Sequence, residues 1–276
     1  MLATAIIVFR EVLEAALIVS VVMAGSKGVA GRGRWVLSGL AAGVTGSIFV
    51  AVFAGTIAAA ASGIGQELFN AGVLFAAVIM LAWHCIWMGR HGRDIAHQMS
   101  AVSRAVAVGS RPLYVLGIVV GLAVVREGAE VVLFLYGIAA GGGGVGELVA
   151  GGALGLAGGV ALGLALYFGL LRIPARHLFA ATTWLIVLVA AGLASQGAAY
   201  LVQAGVLPAL GRAIWGSSWL LSERGLVGQI FHTLIGYDAR PSGIQLIFHA
   251  ATLVLIGLPT WRIGRPPPPN RPALAE

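Results

Sequence analysis

Long apolar stretches separated by short polar ones organise this chain. Seven of them run over about 2–24, 36–60, 66–88, 112–138, 147–171, 179–203 and 242–261. A helix needs roughly 20 apolar residues to cross the hydrocarbon core of a bilayer, and each stretch meets that length. Their hydrophobicity is continuous rather than alternating, which excludes the short dyad-patterned strands of a membrane barrel. The pattern predicts an all-α integral membrane protein with seven transmembrane helices.

Composition narrows the class further. Of the 276 residues, 59% are hydrophobic and 10% charged, against about 25% charged in a soluble domain, so little chain remains for a soluble unit. The net charge of +7 comes from basic residues gathered in alternate loops. Lys27, Arg32 and Arg34 follow the first stretch, and Arg90, Arg93, Arg104 and Arg111 follow the third. Arg172 and Arg176 follow the fifth, and Arg262, Arg265 and Arg271 follow the seventh. The opposite loops hold only Arg212, Arg224 and Arg240. The positive-inside rule therefore puts the N-terminus outside and the C-terminus in the cytoplasm of a multi-pass inner-membrane protein, and the basic balance calls for no nucleic acid. The N-terminal stretch lacks a basic leader region and reads as a retained first span. The single cysteine, Cys85, excludes an intrachain disulfide and reads as a buried small side chain.

Domain organisation follows from the same pattern. Residues 1–261 form one transmembrane domain, and 262–276 a proline-rich cytoplasmic tail. Segment 204–241 is an external loop before the seventh helix at 242–261. Within that loop, Leu226, Val227, Ile230, Phe231 and Leu234 share one helical face, which predicts a short interfacial helix. Trp215, Trp219 and Tyr237 suit the headgroup level, and His232 is read as an interfacial histidine.

Two stretches break the apolar pattern at their centres. "FREVLEAALIVSVV" places Arg10, Glu11 and Glu14 in the first span; "VVREGAEVVLFLYG" places Arg126, Glu127 and Glu130 in the fourth. Spacings of three and four residues put each Arg-Glu-x-x-Glu set on one helical face. Three spans separate the copies, so the two motif helices run in opposite directions. Spans 1–3 (about 1–100) and 4–6 (about 101–203) thus read as an inverted repeat with span 7 extra. Transporters built this way bind substrate near the midplane, at the repeat interface. Glycines every four residues in span 5 (Gly151, Gly155, Gly159, Gly163), matched by Gly39 and Gly43 in span 2, predict close helix packing rather than a ligand site.

Six ionisable residues at helix centres would cost on the order of 15–20 kcal/mol if each faced lipid alone. They must face one another, water or an ion, and one shared cluster between spans 1 and 4 is the simplest arrangement. Four glutamates against two arginines leave a net charge of −2. A self-contained ion-pair network does not balance; a cation or proton path does. Oxygen donors suit hard ions such as Fe(III), Ca, Mg or Mn, whereas a copper or zinc path calls for Cys, Met or several His. No histidine accompanies either motif in sequence, and there is no haem, flavin or phosphate-loop signature, so a membrane-embedded metal oxidoreductase is the weaker reading and no organic cofactor is expected.

The "REVLE" and "REGAE" segments resemble the paired motifs of the FTR1/EfeU-type high-affinity iron permease family. The likeness extends to the seven-span pattern, to "GQELFNAGVLFAAVIMLAWHCIWM" and to "SWLLSERGLVGQIFHTLIGYDARPS". It implies a membrane transporter, not an enzyme, that takes iron, ferric by preference, into the cell. Glu11, Glu14, Glu127 and Glu130 would be the metal ligands, with Arg10 and Arg126 as supporting charge. Val12 departs from the glycine common at its position, without loss of a ligand. The resemblance also implies a separate extracytoplasmic iron-binding protein and an oxidase or peroxidase as partners, and is compatible with a homo-oligomer. Topology adds secondary candidates for the way in or out. These are Glu67 and Asn70 at the outer end of span 3, Gln196 and Gln203 in span 6, and His84 near the inner end of span 3. Trp83 and Trp87 read as inner-interface anchors, and His91 and His97 as solvated loop residues.

Overall fold

The computed structural model describes residues 1–61, 65–169, 175–211, 213–217, 228, 231 and 236–263. Seven long helices carry them: α1 (Leu2–Gly25), α2 (Arg32–Ala61), α3 (Gln66–Ala107), α4 (Tyr114–Ala140), α5 (Val145–Tyr167), α6 (Ala175–Gln203) and α7 (Gly243–Ile263). No strand occurs among the described residues. Five helices are long and apolar enough by composition to cross a membrane: α2, α3, α5, α6 and α7. The other two, α1 and α4, carry the Arg-Glu-x-x-Glu sets, whose charges interrupt every long apolar window. The bundle deals with those charges by burial.

The motif helices are the inner ones. α1 packs along α5 and α4 along α2, while α3 lies on α6 and α6 on α7. α1, α3 and α4 also meet one another. The glycine stripes make the two long pairings. A Cβ on Gly151 would stand 2.3 Å from the Met1 carbonyl oxygen, and one on Gly155 2.5 Å from that of Ala5. On the other pair, a Cβ on Gly39 would stand 2.3 Å from the Gly117 carbonyl oxygen, and one on Gly43 2.6 Å from Val124 Cβ. Only helices without side chains at these points approach so closely. The outward faces of α2 and α5 expose Leu37, Phe49, Phe53, Val149 and Leu154, as expected where lipid is the solvent.

Two apolar layers close the bundle interior. One gathers Ile7, Leu74, Leu81, Phe134, Ile138, Ile186 and Leu193 from α1, α3, α4 and α6. The other gathers Val22, Val36, Val106, Leu116, Val120 and Val124. The motif residues lie between these layers along both α1 and α4.

One segment departs from the expectation of a loop after span 3. α3 continues through the basic stretch to Ala107, so His91 and His97 stand exposed on a helix. Its 42 residues measure about 63 Å at 1.5 Å per residue, twice a hydrocarbon core of about 30 Å. The extension is amphipathic rather than merely solvated. It folds against the end of α1, where a Cβ on Gly25 would meet Ser103 Oγ at 2.1 Å, and it adds Val106 to the second layer. In the loop before α7, Leu226, Val227, Ile230 and Leu234 of the expected interfacial helix lie outside the described residues, as do Trp219 and His232; Phe231 is described and exposed.

Candidate metal site between α1, α3 and α4

α1 presents Arg10, Glu11 and Glu14 inward because its other faces are taken by α5 and by the apolar layers. All three are buried, Glu11 completely. Arg10 Nε lies 3.0 Å from Glu14 Oε1, one helical turn away, and Arg10 Nη1 lies 3.7 Å from Glu11 Oε1. α4 brings Glu127, also buried, and Glu130 against them. One oxygen from each of Glu11, Glu127 and Glu130 falls within 4.8 Å of the others. The two motifs thus form one cluster.

The third contributor comes from α3. His84 is 2% exposed and stands between the motifs. Its Nε2 lies 3.6 Å from Glu14 Oε1 and 3.9 Å from Glu11 Oε2, and its Nδ1 contacts Glu130 Oε2. Glu11, Glu14 and His84 form a second set of donors within 4.8 Å of one another. His84 therefore stands at the cluster itself. Sequence spacing could not reveal this, because α3 approaches the motifs only in three dimensions. The one signal was a histidine in the middle of a long apolar helix.

The two arginines differ. Arg10 is sealed, whereas the Arg126 side chain is 37% exposed. Arg126 Nε lies 3.2 Å from Glu130 Oε1, Nη2 donates to Met88 Sδ at 3.8 Å, and its guanidinium sits 4.3 Å over the Trp87 ring. Trp87 in turn stacks on His91. A cavity of about 410 Å³ opens here, lined by Met80, Trp83, His84, Trp87, Arg126 and Glu130. Trp87 is thus a platform for Arg126 beside the cluster, not only an interface anchor; Trp83 is 70% exposed at the cavity rim.

The remaining candidates stand apart. Glu67 is exposed in the first turn of α3, 17 positions before His84, or about 25 Å along the helix. Asn70 is partly exposed one turn further on. Gln196 lies against Gly141 at the end of α4, and Gln203 is exposed at the end of α6. Cys85 is buried in the apolar layer beside His84, as its sequence context suggests.

Both oxygens of Glu11 and of Glu14, one oxygen each of Glu127 and Glu130, both ring nitrogens of His84, and Nε and Nη1 of Arg10 are buried without a hydrogen-bond partner among the described residues. Buried polar groups are ordinarily satisfied. Carboxylate acceptors outnumber donors in this set, and its Glu and His donors could hold a metal ion.

Comparison with known proteins agrees with this chemistry. The profile of the Iron permease FTR1 family matches residues 1–259. The chain is 32% identical over 273 residues to the "Ferrous iron permease EfeU" of Shigella sonnei (strain Ss046) and of Escherichia coli O157:H7, covering 92% of this chain and 94% of theirs. It is 29% identical over 271 residues to the protein of the same name from Yersinia pestis, covering 92% of both chains. No solved structure matches the chain. A membrane bundle with a buried carboxylate cluster, matched over nearly its whole length, is a multi-pass inner-membrane protein that belongs to the FTR1 iron permease family.

Proposed function

We propose that this protein carries iron across the inner membrane into the cell through the cluster formed by Glu11, Glu14, Glu127 and Glu130. The observation that carries this reading is the convergence of both motifs on one buried, unsatisfied set of oxygen donors. Iron is the cargo. A divalent ion would neutralise the −2 left by four glutamates and two arginines.

The same convergence supports an inverted-repeat architecture of seven spans, with α1–α3 against α4–α6 and α7 added. The packing exchanges between halves: α1 lies on α5, and their counterparts α4 and α2 pack on each other in the same way. Basic loops set the N-terminus outside and the C-terminal tail inside. In alternating access, the layer with Ile7, Leu74 and Phe134 would part toward the outside. The layer with Val22, Val120 and Val124 would part toward the cytoplasm. Arg10 and Arg126 hold the carboxylates apart from lipid and limit their mutual repulsion. The cavity at Trp83 and Arg126 lies beside the cluster in the second half of the apolar Gln66–His91 stretch of α3, nearer its basic end, which makes it the cytoplasmic side of the path.

Ferrous iron is favoured over ferric here. The hard-ligand argument from sequence counted only carboxylates; an imidazole in the cluster shifts the donor set toward borderline ions. The relatives' printed names also specify ferrous iron. Uptake of radioactive iron into proteoliposomes, with ascorbate or as ferric citrate, tests both points. Glu14→Gln and Glu127→Gln should each lower ferrous uptake at least tenfold while the protein elutes unchanged in size-exclusion chromatography. Full uptake by either variant would remove the site from the path. Competition by manganese or magnesium equal to that of unlabelled iron would point to a general divalent-cation carrier.

A further inference from the structure

Carboxylates suit magnesium, calcium and manganese as well as iron, and an imidazole donor shifts a site toward iron and its later neighbours. We propose that His84 is a direct metal ligand that sets the ion preference of this site, and that Glu130 positions it. The inference rests on the four-glutamate reading above, adds a nitrogen donor to it, and gives Glu130, still one of the four, a second role through the lone pairs that face His84 and Arg126.

Three observations carry it. First, His84 is 2% exposed, and neither of its ring nitrogens has a hydrogen-bond partner among the described residues. Second, that nitrogen faces Glu14 Oε1 at 3.6 Å and Glu11 Oε2 at 3.9 Å. Two donors bound to one ion at about 2.1 Å each stand roughly 3.0–3.4 Å apart at angles from square to tetrahedral, so contractions of about 0.2–0.6 Å toward Glu14 and about 0.5–0.9 Å toward Glu11 complete the chelate. Third, Nδ1 contacts Glu130 Oε2, while Glu130 Oε1 is occupied by Arg126 Nε at 3.2 Å. A carboxylate beside Nδ1 can accept a proton from that nitrogen after a small ring rotation, which would leave the Nε2 lone pair for the metal. Arg126, Glu130 and His84 thus form a chain running from the cavity to the ion.

The purified protein in liposomes, given ferrous iron with magnesium or manganese as competitors, reads the consequence. His84→Asp restores a donor but removes the nitrogen. It should keep measurable iron uptake while its preference for iron over magnesium falls at least tenfold. Equilibrium dialysis of radioactive ferrous iron against magnesium in detergent should show the same fall, independently of transport rate. Glu130→Gln should lower the preference in the same direction, and by less than His84→Asp. If His84→Asp does not fold, His84→Gln, closer in size and with a carbonyl oxygen donor, is read by the same dialysis. An unchanged iron-to-magnesium ratio in folded His84 variants overturns the assignment of His84, even if Glu14→Gln abolishes uptake. Retained uptake in Glu14→Gln instead overturns the four-glutamate reading.

Discussion

His84 Nε2 on α3 lies 3.6 Å from Glu14 Oε1 on α1, and the opposite nitrogen of the same ring touches Glu130 on α4. One imidazole therefore joins the two halves of the charged cluster. This joint makes the site sensitive to the relative positions of three helices. Several measurable consequences arise from the way those helices are held.

The two arginines should not be equivalent. Removing the charge of Arg10 leaves Glu14 buried without its ion pair, and breaking a buried pair costs about 3–5 kcal/mol. Arg126 is 37% exposed beside the cavity, and Met88 and the Trp87 ring also hold it, so its pair with Glu130 is less enclosed and its loss costs less. Arg10→Met should therefore lower the thermal midpoint in detergent far more than Arg126→Met. Equal shifts would contradict the asymmetric burial.

Glycine at the helix contacts positions the glutamates from a distance. Gly155→Ala puts a methyl group 2.5 Å from the Ala5 carbonyl oxygen, which can only be relieved by moving α1 off α5. Overpacking of this kind costs about 1–3 kcal/mol. Iron uptake should fall severalfold through displacement of Glu11 and Glu14. Gly152→Ala, on the same helix with nothing within 4 Å, should leave uptake and thermal midpoint unchanged. Similar losses in both would mean that the stripe does not position α1.

The cavity beside the cluster predicts a labelling pattern. In a Cys85→Ala background, Trp83→Cys should react with a charged, membrane-impermeant thiol reagent applied from the cytoplasmic face of inverted vesicles. Native Cys85, buried at 2% exposure, should not react. Reaction of Trp83→Cys only from the outer face would reverse the direction assigned to the path.

Glu67 and Gln203 are exposed at helix ends, far from the cluster. Glu67→Gln and Gln203→Ala should change the maximal uptake rate less than twofold, with any effect confined to the apparent KM for iron. Loss of the maximal rate in either would extend the site toward that end of the bundle.

Much of the fold was legible because lipid imposes a simple rule. Apolar length predicted helices close to Leu2–Gly25, Gln66 onward and Gly243–Ile263, and small-residue spacing predicted the tight contacts of Gly151 and Gly155. The helical continuation of α3 to Ala107 was not legible. Its polar composition reads equally as a loop, and its amphipathic face acquires meaning only against the end of α1. The Trp87 contact with Arg126 was not legible either, because nothing in its neighbours along the chain names Arg126.

The chain by itself determined that Arg10, Glu11, Glu14, Arg126, Glu127 and Glu130 had to be gathered, since isolated charges at helix centres are too costly in a bilayer. It also determined their faces, because helical periodicity aligns positions three and four apart. Only the tertiary structure decided what else joined them. His84 belongs to the cluster, Arg10 is sealed and Arg126 is open, because α3 crosses beside both motif helices and leaves a cavity on one side. Those facts depend on distances between residues far apart in the chain, which periodicity along a single helix does not encode.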